Sequence, residues 1–64
     1  MEYNKTYFLR YLSANEKTRK ESRNYWINIF TYEFSNGQDY SLSASILAAI
    51  ALADDVLESG YTPA

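Results

Sequence analysis

The 64-residue sequence contains no cysteine and no histidine. Without cysteine, the chain can form no disulfide and no Cys₂His₂ or Cys₄ zinc site. Without histidine, it lacks the commonest general base and the commonest metal ligand. Its two glycines, at positions 37 and 60, are too far apart to form a glycine-rich phosphate loop. We therefore predict a protein that is not an enzyme and that needs neither a metal nor a cofactor.

Long hydrophobic runs are also missing. The longest strongly apolar run, Ile46 to Ala53, is about a third of the length that a transmembrane helix needs. The N-terminus has no charged segment followed by an apolar one, which is the pattern of a secretory signal. We expect a complete small protein in the cytoplasm that does not contact a membrane, and the lack of cysteine is consistent with that reducing compartment.

The charge of the chain is nearly balanced but unevenly distributed. The net charge of −2 and the isoelectric point near 4.8 disfavour general polyanion binding. Four of the six cations fall within seven positions: Lys17, Arg19, Lys20 and Arg23. A smaller acidic group lies near the C-terminus: Asp54, Asp55 and Glu58. Each group is a candidate contact for a partner of opposite charge. The acidic group points in different directions on a helix, so we predict no metal site there.

Residues 24–34 form the densest run of aromatic and β-branched residues, a composition typical of a strand. Because side chains alternate across a strand, one face would bear Tyr25, Ile27, Ile29 and Thr31. The other face would bear Trp26, Phe30, Tyr32 and Phe34. Both faces are apolar, and a chain of this length can cover only one of them with its own helix. We therefore predict that the aromatic face meets another chain.

Residues 5–12 are the first ordered element, and two interpretations remain open. As a strand, the segment would place Tyr7 and Tyr11 on one face. As a helix, it would pair Tyr7 with Tyr11 and Phe8 with Leu12, each four residues apart. Its aromatic content and the strand that follows favour the strand. If the segment is helical, it can cover the aromatic face itself, and there is less reason to expect a partner.

Residues 13–23 contain no apolar side chain larger than alanine, which predicts a solvated basic loop. A turn is predicted at 35–38, with Asn36 and Gly37 at its two central positions. Both residues tolerate positive φ, and the Asn-Gly pair is the preferred chemistry of a type I′ hairpin. The hairpin implies a short strand at 38–42 that returns beside strand 24–34.

Residues 43–59 have the composition and periodicity of a helix, rich in alanine, leucine and isoleucine. Ser43 is the candidate N-cap of this helix. Gly60 stands where a left-handed C-cap residue belongs, and residues 60–64 are expected to form a short tail.

These elements predict a single α+β domain over residues 1–64, in the order β-β-β-α. A small antiparallel sheet would have the C-terminal helix packed on one face. We expect the helix to choose the flatter aliphatic face, which bears Ile27 and Ile29. The aromatic side chains would then point away from the helix.

A small non-enzymatic module that binds another protein is the function these features favour. The form we expect is an inhibitor or adaptor that occludes a site on a larger protein, by analogy with small inhibitors of phages and mobile elements. The acidic residues near the C-terminus would form a secondary surface for a basic partner. The predicted contacts are four aromatic anchors and four cations: Trp26, Phe30, Tyr32, Phe34, Lys17, Arg19, Lys20 and Arg23.

Two alternatives remain open. The aromatic face and the basic loop together match, in outline, the way single-stranded nucleic acid is held by stacking and phosphate contacts. Against this alternative, the chain is acidic overall, and Glu16 and Glu21 interrupt the cations. The second alternative is a purely structural homo-oligomer, such as a homodimer in which two sheets stack.

Overall fold

Three α-helices make up the protein in a computed structural model, which describes residues 2–60 and the side chains of residues 5–60. Helix α1 spans Glu2–Ser13, α2 spans Glu16–Ser35 and α3 spans Ser41–Glu58. No strand occurs within residues 2–60. The predicted α+β fold is therefore wrong. The chain is a small three-helix bundle in which α3 packs against both of the other helices.

Helix α1 replaces the strand predicted at 5–12. The helical period gathers its apolar side chains into one stripe: Tyr7, Phe8, Tyr11 and Leu12. Tyr11 and Leu12 are buried, and Tyr7 and Phe8 pack partly buried against the same core. A strand would divide these side chains between two faces, so the helix can bury all four on one side.

The predicted basic loop, 13–23, contains the end of α1, a two-residue connection and the first two turns of α2. Asn15 caps α2, because its side-chain oxygen accepts a 2.8 Å hydrogen bond from the backbone N–H of Thr18. Glu16 then places a negative charge in the first turn, next to the positive end of the helix dipole. The loop prediction is wrong, although most of its charged side chains are exposed.

The aromatic run at 24–34 continues the same helix and does not form a strand. Neither glycine nor proline occurs before position 37, so the run contains neither of the two residues that disfavour a helix most strongly. The prediction that the aliphatic side of this segment faces the rest of the chain is also wrong. Trp26 packs against the core, whereas Ile27 is 43% exposed.

Asn36 and Gly37 end α2 and do not turn a β-hairpin. Gly37 has a φ of 66°, whereas Asn36 has a φ of −103° that a type I′ turn does not allow. Two backbone hydrogen bonds close the turn: Gly37 N to Phe34 O at 3.4 Å and Gln38 N to Glu33 O at 2.9 Å. This is the Schellman arrangement, which satisfies the last carbonyls of a helix. The predicted hairpin and the strand at 38–42 are wrong, because α3 begins within that stretch.

Helix α3 begins at Ser41, two residues ahead of the predicted start of the helix at 43–59, and ends at Glu58. Ser43 is not its cap, because Ser43 is buried and donates a 2.7 Å hydrogen bond to Glu33 Oε1 of α2. Asp39 supplies the local acceptor for the first turn, taking hydrogen bonds from the N–H and the hydroxyl of Ser41 at 3.0 and 2.6 Å. These bonds lower the pKa of the Asp39 carboxyl.

Gly60 follows α3 with a φ of 94°, the left-handed conformation that its position in the sequence predicts. Its N–H donates to the carbonyl of Leu57 at 3.1 Å. Residues 61–64 of the predicted tail lie outside the described part of the chain.

The core lies where α1 and α3 meet. It consists of five buried apolar side chains: Tyr11, Leu12, Ile46, Ile50 and Ala53. Helix α2 runs antiparallel to α1, because Tyr7 contacts Trp26 while the later residue Tyr11 contacts the earlier Arg23. It also runs antiparallel to α3, because Ser43 contacts Glu33 while Asp54 contacts Arg23. It covers part of the core with Trp26 but has no fully buried side chain of its own.

Candidate functional site

Helix α2 separates the aromatic side chains that a strand would place together. By the helical period, Trp26 and Phe30 lie on its inner side, and Phe34 lies on the flank next to α3. Tyr32 lies on the opposite flank of α2. The single aromatic face predicted for these residues is therefore absent from the described structure. The helix instead stacks Phe30 on Phe34, which are four residues apart.

Trp26 is half-buried and makes its contacts within the bundle. Its indole N–H donates a hydrogen bond to the hydroxyl of Tyr7. Its ring meets Tyr7 and Tyr25 edge to face, at centroid distances of 5.9 and 5.2 Å. Buried tryptophan usually pairs its polar N–H in this way. The predicted anchor therefore joins α1 to α2, and little of its ring is left for a partner.

Three rings meet at the turn between α2 and α3, and we call them the aromatic cluster: Phe30, Phe34 and Tyr40. Their centroids lie 5.4 to 5.8 Å apart, within the range of favourable aromatic contacts. Phe30 is half-buried, whereas Phe34 is 60% exposed and Tyr40 is also exposed. Tyr40 is not among the sequence-based candidates. Tyr40 could have been identified by assigning Gly37 to the end of a helix. The turn that follows then brings residue 40 back beside the last turn of α2.

Helices α2 and α3 meet through Arg23 and Asp54 at one end and through Phe34 and Tyr40 at the other. By the helical period, one flank of each helix borders this line of contact, and we call the surface between the two flanks the α2–α3 groove. On α2, residues three to seven apart lie along this side: Lys20, Arg23, Ile27 and Phe34. On α3, the facing side is mostly small or apolar: Ala44, Leu47, Ala51 and Glu58. The aromatic cluster lies at one end of the groove, and charged residues lie at the other.

The charged end of the groove is an open cleft of about 460 Å³. Its walls contain five of the charged residues predicted as contacts: Arg19, Lys20, Arg23, Asp54 and Glu58. The sequence suggests separate basic and acidic surfaces, but the antiparallel helices bring the two groups face to face. Lys17 and Asp55 are exposed outside this cleft.

Arg23 and Asp54 form an ion pair in the wall of this cleft, and both also hydrogen-bond to the hydroxyl of Tyr11. Arg23 Nη1 is 3.3 Å from Asp54 Oδ2, the single ion pair among the described side chains. The Tyr11 hydroxyl donates to Asp54 Oδ1 at 2.8 Å and accepts from Arg23 Nη1 at 3.1 Å. Burial, followed by the hydrogen bond to Asp54, raises the pKa of Tyr11. Because Arg23 and Asp54 already pair, each has less capacity to bind a partner.

Comparisons with models of protein families, with curated proteins and with solved structures find no match to this chain. In the part of the chain that is described, no three acidic side chains gather into a possible metal site. None of the described helices is long and apolar enough to cross a bilayer. Chemically, the α2–α3 groove offers aromatic and apolar surface, with charges of both signs at one end.

Proposed function

We propose that this chain is a small non-enzymatic module that binds another protein through the α2–α3 groove. One observation supports this proposal above the others. Phe34 and Ile27 are 60% and 43% exposed on one side of a helix that has no buried residue. Exposed apolar patches of a few hundred Å² usually mark association sites, and aromatic residues are frequent anchors there.

The partner segment that suits this groove best is an amphipathic helix. A groove between two helices accepts a third helix whose apolar side chains recur every three or four residues. The alanines at positions 44 and 51 of α3 leave room for the backbone of the incoming helix to approach closely. The aromatic cluster would then cover one end of the apolar stripe of that helix.

The edges of the groove define which charges the partner helix should carry. Lys20 is exposed on the α2 edge, whereas Asp55 and Glu58 are exposed on the α3 side. A partner with carboxylates toward α2 and with Lys or Arg toward α3 would pair with both edges. Such complementarity fixes orientation and raises the association rate more than it raises affinity.

The form of action that we propose is occlusion of a site on a larger protein in the cytoplasm, by an inhibitor or an adaptor. The nucleic-acid alternative has less support, because Trp26 packs on Tyr7 and Arg23 pairs with Asp54. A homo-oligomer would use the same apolar groove, with a second copy of the chain in place of the partner helix.

Two substitutions on opposite flanks of α2 test the proposal. Phe34 and Tyr32 are 60% and 61% exposed, so truncation to alanine removes equally solvated rings from one helix. We expect Phe34→Ala to weaken capture of the partner from a host lysate about tenfold, the usual effect of losing an interface anchor. Tyr32→Ala should leave capture unchanged. Quantitative pull-down measures both variants, and circular dichroism checks that both are helical.

Undiminished capture by folded Phe34→Ala, or an equal loss with Tyr32→Ala, would contradict the assignment to the α2–α3 groove. Light scattering on the purified chain separates the homo-oligomer from a binding module. A dimer that Phe34→Ala dissociates would assign the groove to a second copy and exclude a different protein there. A monomer that captures no protein would overturn the proposal as a whole.

A further inference from the structure

A second cleft lies between α1 and α2, on the opposite flank of α2 from the α2–α3 groove. We call it the α1–α2 cleft, and its volume is about 330 Å³. Its lining side chains are mostly cationic or hydroxyl-bearing: Tyr7, Arg10, Tyr11, Thr18, Arg19 and Ser22. Of these residues, Arg19 alone is among the contacts predicted from the sequence.

The composition of this cleft contrasts with the acidic balance of the chain. Two of its side chains are guanidiniums and four bear hydroxyls, and no carboxylate lines it. Neither Arg10 nor Arg19 forms an ion pair within residues 5–60. Two positive charges that converge without an internal counter-ion favour a bound anion.

Arg19 is held at the wall of the α1–α2 cleft. Its Nη1 donates a hydrogen bond to the backbone carbonyl of Ala14, in the connection between α1 and α2. This bond restrains the side chain and leaves the other guanidinium N–H groups to bind elsewhere. A guanidinium presents parallel N–H groups that match two oxygens of an oxyanion, so a restrained arginine loses little further freedom on binding.

The first turn of α2 adds the partial positive charge of the helix dipole, part of which the Glu16 carboxylate in the same turn offsets. Thr18 lies close to the start of α2, where the helix dipole has its partial positive charge. Because Asn15 already accepts from the Thr18 N–H, an anion would lie beside this turn, near the hydroxyls of Thr18 and Ser22. The Tyr7 hydroxyl contacts Ser22 Oγ and accepts from Trp26, so Tyr7 contributes mainly its ring.

We infer that the α1–α2 cleft binds a phosphate group, with Arg10 and Arg19 as its charged ligands and the Thr18 and Ser22 hydroxyls as neutral donors. A phosphate dianion matches two guanidiniums in charge, and its oxygens accept hydrogen bonds from both groups of donors. The rings of Tyr7 and Tyr11 add an apolar wall, which suits a phosphate ester on a small apolar group as well as free phosphate. Arg19 also lines the charged end of the α2–α3 groove, whereas Arg10 lines the α1–α2 cleft and not that end of the groove, so Arg10→Gln tests the phosphate site separately from the proposed protein-binding groove.

Inorganic phosphate and phenyl phosphate are the probes for this site. In an NMR titration of the full chain at constant ionic strength, we expect saturable shifts of the Thr18 amide and of the Arg10 and Arg19 Nε–H groups. The dissociation constant should be on the order of 1 mM, and Arg19→Gln or Arg10→Gln should raise it about tenfold. Tighter binding of phenyl phosphate than of inorganic phosphate would identify a phosphate ester as the ligand class. Equal binding of the two probes would identify free phosphate.

Lys17→Gln is the matched control, because Lys17 lies in the first turn of α2 but does not line the cleft. It removes the same charge and should leave phosphate binding unchanged. If Lys17→Gln weakens binding as much as Arg19→Gln does, the effect is general electrostatics and the site is overturned. If Arg19→Gln does not fold, Arg10→Gln tests the same site. Shifts that never saturate, or that spread over all helices, would show an adventitious ion only.

Discussion

Helices α2 and α3 lie side by side with similar lengths, twenty and eighteen residues, yet they contribute differently to the fold. Helix α3 supplies three of the five buried apolar side chains, whereas α2 supplies none. Helix α3 is rich in alanine, leucine and isoleucine; α2 has charged residues in its first half and aromatic residues in its second. The bundle is therefore centred on α3, and α2 is the helix with the larger side chains left for a partner.

Helix α2 is stabilised by signals at its ends and by packing along one side. Asn15 caps its start, Gly37 closes its end, and Trp26 and Phe30 pack inward. Most of the stability of helices in proteins comes from the tertiary packing of one face, so the inward contacts are needed as well as the caps. The contrast with α3 predicts that the same chemical change has unequal effects on stability in the two helices.

Ile50→Ala in α3 should have the largest effect. Ile50 is 2% exposed in the centre of the core, so truncation leaves a cavity and removes apolar contacts. We expect the free energy of unfolding to fall by about 3 kcal/mol, a large share of the stability of a domain this small. Urea titration followed by circular dichroism measures the change.

The same truncation in α2 is the matched control. Ile27→Ala removes identical atoms from an exposed position and raises helix propensity, so the free energy of unfolding should change by less than about 0.5 kcal/mol. A loss as large as that of Ile50→Ala would mean that Ile27 is covered in solution, as it would be in a homodimer. The contrast between the two helices would then be wrong.

Gly37→Ala should have an intermediate effect, because it acts on the turn that separates α2 from α3. At a φ of 66°, alanine adopts a left-handed conformation that its Cβ disfavours. No atom lies within 4 Å of the added Cβ, so the penalty is conformational, and we expect a loss of about 1 kcal/mol in urea titration.

Gly60→Ala is the comparison for Gly37→Ala, since Gly60 also has positive φ and an open surrounding. Gly37 lies in the turn that joins two packed helices, whereas Gly60 follows the last of the three described helices, so the effect of Gly60→Ala should be smaller than that of Gly37→Ala. An unchanged stability for Gly37→Ala would show that packing, and not the glycine, defines where α2 ends.

Tyr11→Phe is distinguished by its effect in alkali. Burial raises the pKa of Tyr11 above its usual value of 10.0, so the folded state keeps the phenolic proton to higher pH than the unfolded state does. The stability that this proton contributes is present below about pH 10 and is lost as the pH rises through the raised pKa. The free energy of unfolding of the wild-type chain should therefore fall more steeply with pH than that of Tyr11→Phe.

Tyr25→Phe is the control for this pH dependence, because Tyr25 is exposed and the substitution also removes one phenol hydroxyl. Urea titrations at several pH values on both sides of 10 give the slopes. Parallel slopes for the wild type and Tyr11→Phe would mean that the Tyr11 hydroxyl does not link Arg23 of α2 to Asp54 of α3 in solution.

The sequence predicts α3 best, because alanine, leucine and isoleucine recur with the helical period between a polar start and Gly60. For residues 5–12 the helix was one of two open interpretations, and the pairs Tyr7/Tyr11 and Phe8/Leu12 are those that the helix places on one side. The position of glycine and proline is a further signal. Neither precedes Gly37, so the predicted loop at 13–23 would have to connect two strands without either of the residues that most often interrupt regular structure.

Residues 24–34 carry a helical signal that their composition obscures. Seven of the eleven residues are apolar, and three of the polar ones, Asn24, Asn28 and Thr31, recur at spacings of four and three, which is the helical period. All three are exposed on the helix. Aromatic residues then favour a strand by composition, and tertiary packing of Trp26 and Phe30 overrides that preference. The Asn36-Gly37 pair is ambiguous, because a glycine with positive φ serves a hairpin turn and a helix C-cap alike.

Of the predicted contacts, the structure stacks Phe30 on Phe34, which a strand would separate by Tyr32, and places Tyr32 on the opposite flank of α2. The sequence also separates Arg23 from Asp54 by 31 positions, so their pairing depends on the antiparallel arrangement of α2 and α3. The cationic composition of the α1–α2 cleft also depends on how the helices are arranged. Arg10 and Arg19 line one cleft only when α1 and α2 form a helical hairpin.

The only tryptophan of the chain lies at the contact between α1 and α2, with its N–H on the Tyr7 hydroxyl and its ring edge-on to two tyrosines. Its fluorescence therefore reports whether those two helices are docked. Separation of the helices would hydrate the indole and shift its emission to longer wavelength, with no label added. Tyr7 on α1 would also transfer less excitation energy to Trp26 once the two helices move apart, whereas Tyr25 stays beside Trp26 on α2. The change in energy transfer gives an optical measure of docking that is independent of helix content.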